Sequence, residues 1–460
     1  CDNSSSSTIQ NNSIDGSYSQ AAIRMDNCAF CDFDGNTITN RPYRGIWVDN
    51  GFTTTINNNT MDVQEDGVRA EHGSFLTINY NIINDFQEYG INFHSSENCT
   101  INNNRVVSAH TVDWKRGISN TDSYQNGIIN YNYVEVNGAP DWSSIYGIIC
   151  HDCIISDDTL SINDVFRGTD DDVEVIGIRA DRSTITNCYI DIWRNSYVDW
   201  GGPAYAISSF SSLNERSLIQ NNTIHAVDGS SGINASYSDI LNNTIDDNSI
   251  YNNQYAIQSG DYNIIRNNTI SDMGSGINAS DRWDNVIDSN TVNVSNWGIY
   301  ANNAYGKHTI TNNYINKTGG DKLLYVTNGD SVIVTNNSFL STGGEGFYFS
   351  NTYVDVRYNL LTTPGRGIHC ENQVGGEIGN NTMISNSSGD YGVHITNLSA
   401  PVVRNNIIQG FQNGIYADNT LVNYALSYND LFQITGNMFD GTAMPPLIGQ
   451  PISLNANGDV

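Results

Sequence analysis

The sequence lacks long apolar runs and is poor in lysine. No hydrophobic stretch approaches the roughly 20 residues of a membrane-spanning helix, so no membrane span is predicted. No secretory signal is visible, although a mature or trimmed chain would lack one. Only four of the 460 residues are lysine, and the formal net charge is −29. Such a chain would repel a nucleic-acid backbone and attract cations, and its abundant Asn, Ser, Thr and Tyr predict an extracellular or cell-surface protein.

Helical patterns and phosphate-binding glycine loops are also missing, and a repeat takes their place. Its copies follow one another mostly at intervals of 21 to 25 residues, and each contains a marker asparagine. A fixed period of this size with strand patterns predicts a solenoid of stacked strands. In one copy, Asp158 occupies the marker position. The other markers are Asn12, Asn36, Asn59, Asn81, Asn104, Asn132, Asn187, Asn222, Asn243, Asn268, Asn290, Asn313, Asn337, Asn359, Asn381, Asn406 and Asn429.

Each marker predicts a bend in the chain. Apolar residues lie three positions before and two positions after it, as Ile265 and Ile270 do around Asn268. Their separation of five is odd, and one continuous strand would send such a pair to opposite faces. The chain must therefore bend for both side chains to point inward. We expect the marker to adopt the left-handed conformation there, and its amide to bond to the marker of the next coil.

A third strand begins with Gly-Ile or an equivalent pair, for example Gly276-Ile277 and Gly298-Ile299. Another small or apolar residue often follows two positions after the Ile. Three short strands per coil, with inward residues at matching offsets, predict an all-β fold, a three-sided parallel β-helix of about 18 coils. We assign residues 1–430 to one solenoid and residues 431–460 to an irregular C-terminal segment.

Both ends of the sequence look like cuts through the repeat. Cys1 corresponds in position to Cys370, which lies partway through a coil, and the segment after residue 430 departs from the pattern. Open solenoid ends expose strand edges that can pair with another chain. Two alternatives stay open: the chain continues on both sides, or neighbouring subunits cover the ends. The second predicts a homo-oligomer formed through the ends or the lateral faces.

Four successive coils between residues 105 and 205 have long connections before their third strand. All four leave the solenoid at the same corner, so we expect them to form one protruding lobe. Aromatic platforms with polar neighbours suit a sugar ring or a partner protein. The alternative is a small satellite core that buries its own tryptophans. The candidate site residues of this lobe are Trp114, Trp142, Trp193, Trp200, Asp113, Arg116 and Arg194.

The same lobe contains an acidic run, Asp170, Asp171 and Asp172. Ca²⁺ takes several oxygen ligands from flexible acidic loops, so this run is a candidate metal site. Ca²⁺ is the only cofactor that the sequence suggests. The alternative is an ordinary solvated turn.

Two pairs of the eight cysteines have CxxC spacing, Cys28 with Cys31 and Cys150 with Cys153. The pairs lie about five coils apart, too far to share a zinc ion. Most of the cysteines fall at inward positions, so we interpret them as small buried hydrophobic residues.

Four cysteines are nevertheless candidates for covalent links. Cys28 and Cys31 could form a local disulfide. Cys188, which is next to a marker Asn, and Cys1 are expected to face outward, where they could cross-link an extracellular assembly.

The chain also contains Asn-X-Ser/Thr sequons, which predict a glycosylated surface in part. Their number is only a modest excess over chance for a chain so rich in Asn, Ser and Thr, and several coincide with the bend that needs Asn in any case. Besides Asn3 and Asn11, the candidates are Asn58, Asn98, Asn221, Asn234, Asn242, Asn267, Asn278, Asn293, Asn316, Asn336, Asn380, Asn386 and Asn397.

Segments such as GINASYSDILNNTI, GIYANNAYGKHTITNNYI and GIHCENQVGGEIGNNTM resemble the right-handed parallel β-helix repeat of the pectate lyase-like superfamily. The closest resemblance is to Asn-rich surface proteins of archaea and bacteria and to the periplasmic copper-binding β-helix group. It covers almost the whole chain and implies a right-handed solenoid. It implies little about function, because the superfamily contains lyases, hydrolases, epimerases, phage tailspikes and inert surface proteins.

The catalytic motifs of the enzymes in that superfamily are not matched. Asn120-Thr121-Asp122 and Asp157-Asp158 resemble two motifs of polygalacturonases, but the Gly-His-Gly and Arg-x-Lys motifs are absent. The sequence therefore favours an extracellular structural or interaction protein, a building block of a surface layer, sheath or fibre. Two alternatives use the lobe: a polysaccharide lyase or glycoside hydrolase, and a glycan-binding module.

Overall fold

A computed structural model describes residues 5–17, 19–108, 115–121, 126–138, 144–164, 174–194, 204–246, 254–387, 389–418 and 426–441. Every regular element within these ranges is a β-strand. The strands form three parallel sheets of eighteen strands each, and every coil contributes one strand to each sheet in turn. The predicted all-β parallel solenoid is therefore confirmed. None of the described residues forms a helix with the length and apolarity needed to cross a bilayer.

The three sheets are numbered in the order in which a coil visits them. Sheet I consists of Thr8–Gln10, Asp32–Asp34, Thr55–Asn57, Thr77–Asn79, Thr100–Asn102, Ile128–Asn130, Ile154–Ser156, Thr184–Thr186, Ser217–Gln220, Ser238–Leu241, Ile264–Arg266, Val286–Asp288, Lys307–Thr311, Ser331–Thr335, Tyr353–Arg357, Gly375–Gly379, Val402–Arg404 and Leu426–Ser427. Sheet II consists of Ser13–Asp15, Thr37–Thr39, Thr60–Asp62, Ile82–Asn84, Arg105–Ser108, Tyr133–Gly138, Thr159–Asp164, Tyr189–Arg194, Thr223–Val227, Thr244–Asp246, Thr269–Met273, Thr291–Val294, Tyr314–Lys317, Ser338–Ser341, Leu360–Thr363, Thr382–Ser385, Ile407–Gln409 and Asp430–Phe432. Sheet III consists of Ala21–Asp26, Arg44–Asp49, Asp66–Glu71, Tyr89–Asn92, Lys115–Ser119, Ile145–Ile149, Val175–Arg179, Ala204–Phe210, Ser231–Ser236, Tyr255–Ser259, Ser275–Asn278, Ile299–Asn302, Lys322–Thr327, Glu345–Ser350, Ile368–Glu371, Tyr391–Ile395, Asn413–Ala417 and Phe439–Asp440.

The chain divides into two compact units. Unit 1 is Cys1–Asp239 with Asn243–Tyr251, and unit 2 is Ile240–Asn242 with Asn252–Val460. Each unit has a core of aligned apolar side chains. In sheet I of unit 1, Ile56 pairs in register with Ile78, which in turn pairs with Ile101. All three are fully buried, as the repeat predicts.

The bend between sheets I and II is made by the residue before each marker. Asn221 and Asn267 both have a φ of 57°, whereas the following residues, Asn222 and Asn268, point inward and are buried. The expectation that the marker itself is left-handed is wrong, because its side chain is needed inside the solenoid. The left-handed residues of this corner are Asn11, Gly35, Asn58, Tyr80, Asn103, Tyr131, Asp157, Asn187, Asn221, Asn242, Asn267, Ser289, Asn312, Asn336, Tyr358, Asn380, Asn405 and Tyr428.

Asn187 belongs to that corner row, so it is not a marker. The inward position of its coil is taken by Cys188, whose backbone N–H donates to Asn222 Oδ1 at 2.9 Å. Cys188 is 1% exposed, and the expectation that it faces outward is therefore wrong. The physical reason is the register: counting from the correct corner residue turns the Cys188 side chain into the core.

The marker asparagines form a buried hydrogen-bond ladder, as predicted. The backbone N–H of Asn290 and its Nδ2 both donate to Asn313 Oδ1, at 2.9 and 3.0 Å. The same Nδ2 donates to the backbone oxygen of Ile265 at 2.9 Å. Since buried amides are costly unless they are paired, this pattern fixes the stacking of one coil on the next.

Glycine at the start of sheet III strands follows from close backbone approach. A Cβ built on Gly298 would lie 2.4 Å from the backbone oxygen of Leu323 in the next coil. Side-chain carbons cannot approach a carbonyl oxygen so closely, so a larger residue at this position requires the neighbouring coil to shift. This contact explains the recurrent Gly-Ile pairs.

Candidate interaction site

The predicted lobe is only partly within the described residues. Each of its four connections runs from a sheet II strand to the sheet III strand of the same coil. The sheet II strands that precede the connections pair with one another, for example Tyr133–Gly138 with Thr159–Asp164. Trp193, Arg116 and Arg194 are described. The others lie outside the described residues, namely Trp114, Trp142, Trp200, Asp113, Asp170, Asp171 and Asp172. The lobe as a site, its Ca²⁺ and its enzymatic use therefore stay predictions.

The described lobe residues lie on two different sheets. Trp193, near the end of its sheet II strand, donates from Nε1 to the Asp228 carboxylate at 2.8 Å. Arg116 lies on sheet III with its guanidinium carbon 5.6 Å from the Tyr89 ring centroid and 5.7 Å from that of Tyr146. Each side chain is thus held by neighbours on adjacent coils.

Lys115, beside the lobe, is a buried amine. Its Nζ donates to the backbone oxygen of Asn137 at 2.8 Å. Burial lowers the pKa of Lys115 to about 8, because the ammonium loses hydration there.

A more extensive candidate surface is found on the outer face of sheet III in unit 2. Six aromatic side chains occupy matching outward positions in consecutive coils, and each is the register partner of the next. We call this row the aromatic strip. Its members are Tyr300, Tyr325, Tyr348, His369, His394 and Tyr416.

The rings of the aromatic strip are in contact. Tyr325 stacks on Tyr300 with centroids 4.9 Å apart and on Tyr348 with centroids 5.1 Å apart, and both pairs are nearly parallel. The centroids of His369 and His394 are 4.7 Å apart. Cross-strand aromatic pairs of this kind stabilise a sheet. His369 is buried at 7% exposure, and the other five rings of the aromatic strip are half-buried.

Charged groups of both signs flank the strip. Lys322 Nζ lies 5.2 Å from the Tyr348 ring centroid. Glu345 forms ion pairs with Lys322 at 3.8 Å and with Arg366 at 3.3 Å. The Tyr348 hydroxyl donates to Glu371 at 2.6 Å. Positive and negative groups thus alternate along an aromatic surface.

The two histidines of the strip are uncharged at neutral pH. Burial is the main reason that the pKa of His369 falls to about 3 and that of His394 to about 4. Arg366 opposes protonation of both rings as well. The histidines therefore extend the tyrosine stack as neutral rings.

A second aromatic cluster of unit 2, whose rings are more exposed than those of the strip, lies between sheets III and I. Trp283 and Tyr305 stack with centroids 5.6 Å apart, and they are 45% and 42% exposed. Asp261 accepts the backbone N–H of Trp283 at 3.0 Å, and Asp330 accepts that of Gly306 at 2.9 Å. Hydrogen bonds from backbone N–H groups therefore hold the carboxylates of Asp261 and Asp330 beside the exposed Trp283–Tyr305 pair.

The cysteines differ from the prediction in their pairing. A disulfide joins Cys150 to Cys153, whereas the sequence pattern predicts small buried hydrophobic residues at these two positions. Cys28 and Cys31, the predicted pair, are buried free thiols. Cys1 lies outside the described residues. Spacing alone could not separate the two CxxC pairs, because both lie at inward or near-inward positions.

The described residues bring together no group of three or more His, Cys, Asp or Glu side chains that could hold a metal ion. Seven of the candidate glycosylation sites lie at the left-handed corner between sheets I and II: Asn11, Asn58, Asn221, Asn242, Asn267, Asn336 and Asn380. Their glycosylation stays a prediction.

The sequence matches the family described as the right-handed β-helix region over residues 1–137, 174–339, 259–408 and 297–444. The chain belongs to this right-handed β-helix family. No curated protein matches it. Among solved structures, this β-helix protein is similar to the Streptococcus pneumoniae surface protein and adhesin PfbA, at 11% identity and a TM-score of 0.27. That similarity covers 87% of this chain and 91% of the other.

Sequence reasoning missed the aromatic strip, although its pattern is in the sequence. Each strip residue directly follows an inward apolar residue of its sheet III strand, as in Ile299-Tyr300 and Ile368-His369. The fold was predicted from the inward positions of the repeat, whereas the strip occupies outward ones. Comparing the outward residues of successive coils would have found it.

Proposed function

We propose that this β-helix protein is an extracellular interaction protein that associates with its own copies, as a building block of a cell-surface layer, sheath or fibre. The observation that carries the proposal is the aromatic strip. Aromatic residues are enriched at protein interfaces. A surface with charges of both signs can be complementary to a second copy of itself, as a two-fold contact requires.

Two features support an extracellular location. The Cys150–Cys153 disulfide is the kind of bond that persists in oxidising compartments. The scarcity of lysine and the net charge of −29 fit a protein exposed outside the cell. The sequence also predicts association through the solenoid ends. Contacts at the ends and lateral contacts through the aromatic strip can form in the same assembly.

Replacement of Tyr325 by glutamate tests this proposal. Tyr325 is central in the aromatic strip, so a carboxylate there would have to be desolvated in the contact. We expect association to weaken about tenfold or more, which corresponds to about 1.4 kcal/mol. Sedimentation velocity over a concentration series, with circular dichroism to verify folding, measures the effect.

Tyr314→Glu is the matched control, because Tyr314 is an outward tyrosine of sheet II in the same unit and is 43% exposed. It should associate like the unmodified protein. A protein that stays monomeric up to about 100 μM, or equal weakening by both variants, would contradict association through the strip.

Glycan binding is a second candidate function, favoured by the Trp283–Tyr305 pair. An exposed aromatic face beside fixed carboxylate oxygens can stack on a sugar ring and accept hydrogen bonds from its hydroxyls. Trp283→Ala should reduce the binding of a neutral glycan about tenfold or more in calorimetric titration. Tyr353→Ala, at a residue that is 60% exposed elsewhere in unit 2, should have no effect. Equal binding by both variants would exclude the pair as a glycan site.

A further inference from the structure

The ladder of unit 1 contains an acid where the repeat has an amide. Asp158 is 1% exposed and lies between Asn132 and Cys188 in the stack of inward residues. Its Oδ1 accepts the backbone N–H of Asn132 at 2.7 Å and Asn132 Nδ2 at 2.9 Å. Asn132 Oδ1 accepts the same two bonds from Asn104, both at 3.0 Å. Asp158 Oδ1 therefore reproduces the acceptor half of a ladder asparagine.

The other carboxyl oxygen stands where asparagine has a donor. Asn132 Nδ2 also donates to the backbone oxygens of Ile101 and Asn130, at 3.0 and 3.1 Å. The carbonyls at the equivalent places beside Asp158 are those of Ile129 and Ser156. Asp158 Oδ2 is buried and makes no hydrogen bond to any described residue. An ionised Oδ2 would face carbonyl oxygens, whereas a protonated Oδ2 could donate to one of them.

No described group neutralises a negative charge at this place. The titratable groups facing Asp158 are Asp157, whose charge opposes ionisation, and Cys188 on the following coil. Burial raises the pKa of the Cys188 thiol, so Cys188 remains neutral. No ion pair to Asp158 is found among the described side chains. A buried unpaired carboxylate is strongly disfavoured, and protonation removes that cost.

We propose that Asp158 is a proton-binding site of the folded solenoid: its neutral carboxylic acid completes the ladder, and its ionisation weakens the coils that carry the long connections. The proton resides on Oδ2, which then occupies the place of the asparagine amide. Loss of the proton leaves the Asn132 bonds to Oδ1 but turns Oδ2 from a donor into a buried anion. The strands beside Asp158, Ile154–Ser156 and Thr159–Asp164, are the ones that open first.

The direction of the pH dependence follows from proton linkage. Burial raises the pKa of Asp158 to about 7 in the folded protein, whereas an unfolded Asp titrates near pH 3.9. Between these values the folded state holds the proton and the unfolded state does not. The contribution to stability is therefore fully present below about pH 4, falls as the pH rises, and is lost above about pH 7. The unfolding equilibrium changes by up to about 1,000-fold across this window.

Asp158→Asn tests the proposal, because asparagine supplies the amide donor permanently. Hydrogen exchange of the full chain should show equal opening of Ile154–Ser156 and Thr159–Asp164 in both proteins at pH 4. By pH 8 the opening constant of the unmodified protein should exceed that of the variant by about 100-fold or more. Comparison at each pH removes the intrinsic pH dependence of exchange. Parallel profiles for the two proteins would overturn the proposal.

Two further measurements make the result specific. Asp157→Asn changes the neighbouring half-buried corner acid, and the pH dependence of opening should persist in that variant. Infrared spectroscopy should detect a protonated carboxyl band at pH 6 that Asp158→Asn removes. If that band is absent, Asp158 is ionised in the folded protein and the proposal fails.

Discussion

At the scale of single residues, the solenoid depends on two adjacent positions with opposite requirements. The corner residue before each ladder position adopts a positive φ and points to solvent, so Asn, Asp, Gly and even exposed Tyr occur there. The ladder residue is buried, and in most coils it is an asparagine that offers both a donor and an acceptor. Asn312 and Asn313 illustrate the two positions. Their side chains are chemically identical, but Asn312 suits the positive φ of the corner, whereas Asn313 is required for the buried hydrogen bonds of the ladder.

That difference predicts unequal effects of mutation. Asn313→Ala should lower the free energy of unfolding by about 2 to 4 kcal/mol, because it removes the acceptor of the buried backbone N–H of Asn290 and the amide donor to the carbonyl of Ile287. Asn312→Gly should change it by about 0.5 kcal/mol or less, since glycine accepts the positive φ. Urea unfolding of both variants measures the difference, and equal losses would contradict the assignment of roles.

Glycine at the start of a sheet III strand makes a second residue-scale prediction. Gly298→Ala should destabilise the protein by about 1 to 3 kcal/mol, because the added methyl group would meet a backbone oxygen of the next coil that cannot move independently. Gly320→Ala is the control, as no atom lies within 4 Å of its Cβ position. Thermal unfolding distinguishes them. If Gly298→Ala left the stability to thermal unfolding unchanged, the coils would separate more easily than this contact implies.

At the scale of elements, each strand is too short to be stable alone, and its stability comes from register with the same strand of the next coil. Outward residues then meet their own equivalents, and in unit 2 this places Tyr325 between Tyr300 and Tyr348. A single aromatic residue per coil thus becomes a continuous surface. The aromatic strip therefore arises from the register of the strands in the sheet. One charged side chain within the strip is enough to disrupt the proposed contact between copies.

The register of the strands also places Asp158 in the hydrogen-bond ladder, where most other coils have an asparagine amide. An isolated strand would expose this side chain to water and leave it ionised. Stacking buries it against Asn132, and the same contacts that satisfy one oxygen leave the other without a partner. The pH dependence proposed for these coils thus has its origin in the pairing of strands.

At the scale of the whole molecule, repetition joins the fold to the proposed function. A solenoid of parallel sheets offers faces on which one kind of side chain recurs from coil to coil, and such faces suit repeated contacts between copies. The strongly acidic composition opposes close approach of identical chains. A lateral contact must therefore use surfaces where cations such as Lys322 and Arg366 balance the acids, as they do beside the strip.

Much of the fold could be predicted from the sequence, because its constraints are local and repeated. The odd spacing of Ile265 and Ile270 requires a bend, and recurrent Gly-Ile pairs require close packing of coils. The candidate site could be predicted less well. Trp193 and Arg116 belong to one predicted lobe but lie on different sheets. The sequence pattern predicts Cys188 at the surface, because it places the corner one residue away from the position that the structure shows.

The period, the three strands per coil and the inward apolar rows follow from the amino-acid sequence, since hydrophobic burial acts on every copy alike. The stacking of the coils settles which asparagine bends and which one bonds, which CxxC pair is oxidised, and which outward residues form a surface. These features depend on what the neighbouring coil places opposite each side chain. That arrangement exists only once the coils are stacked.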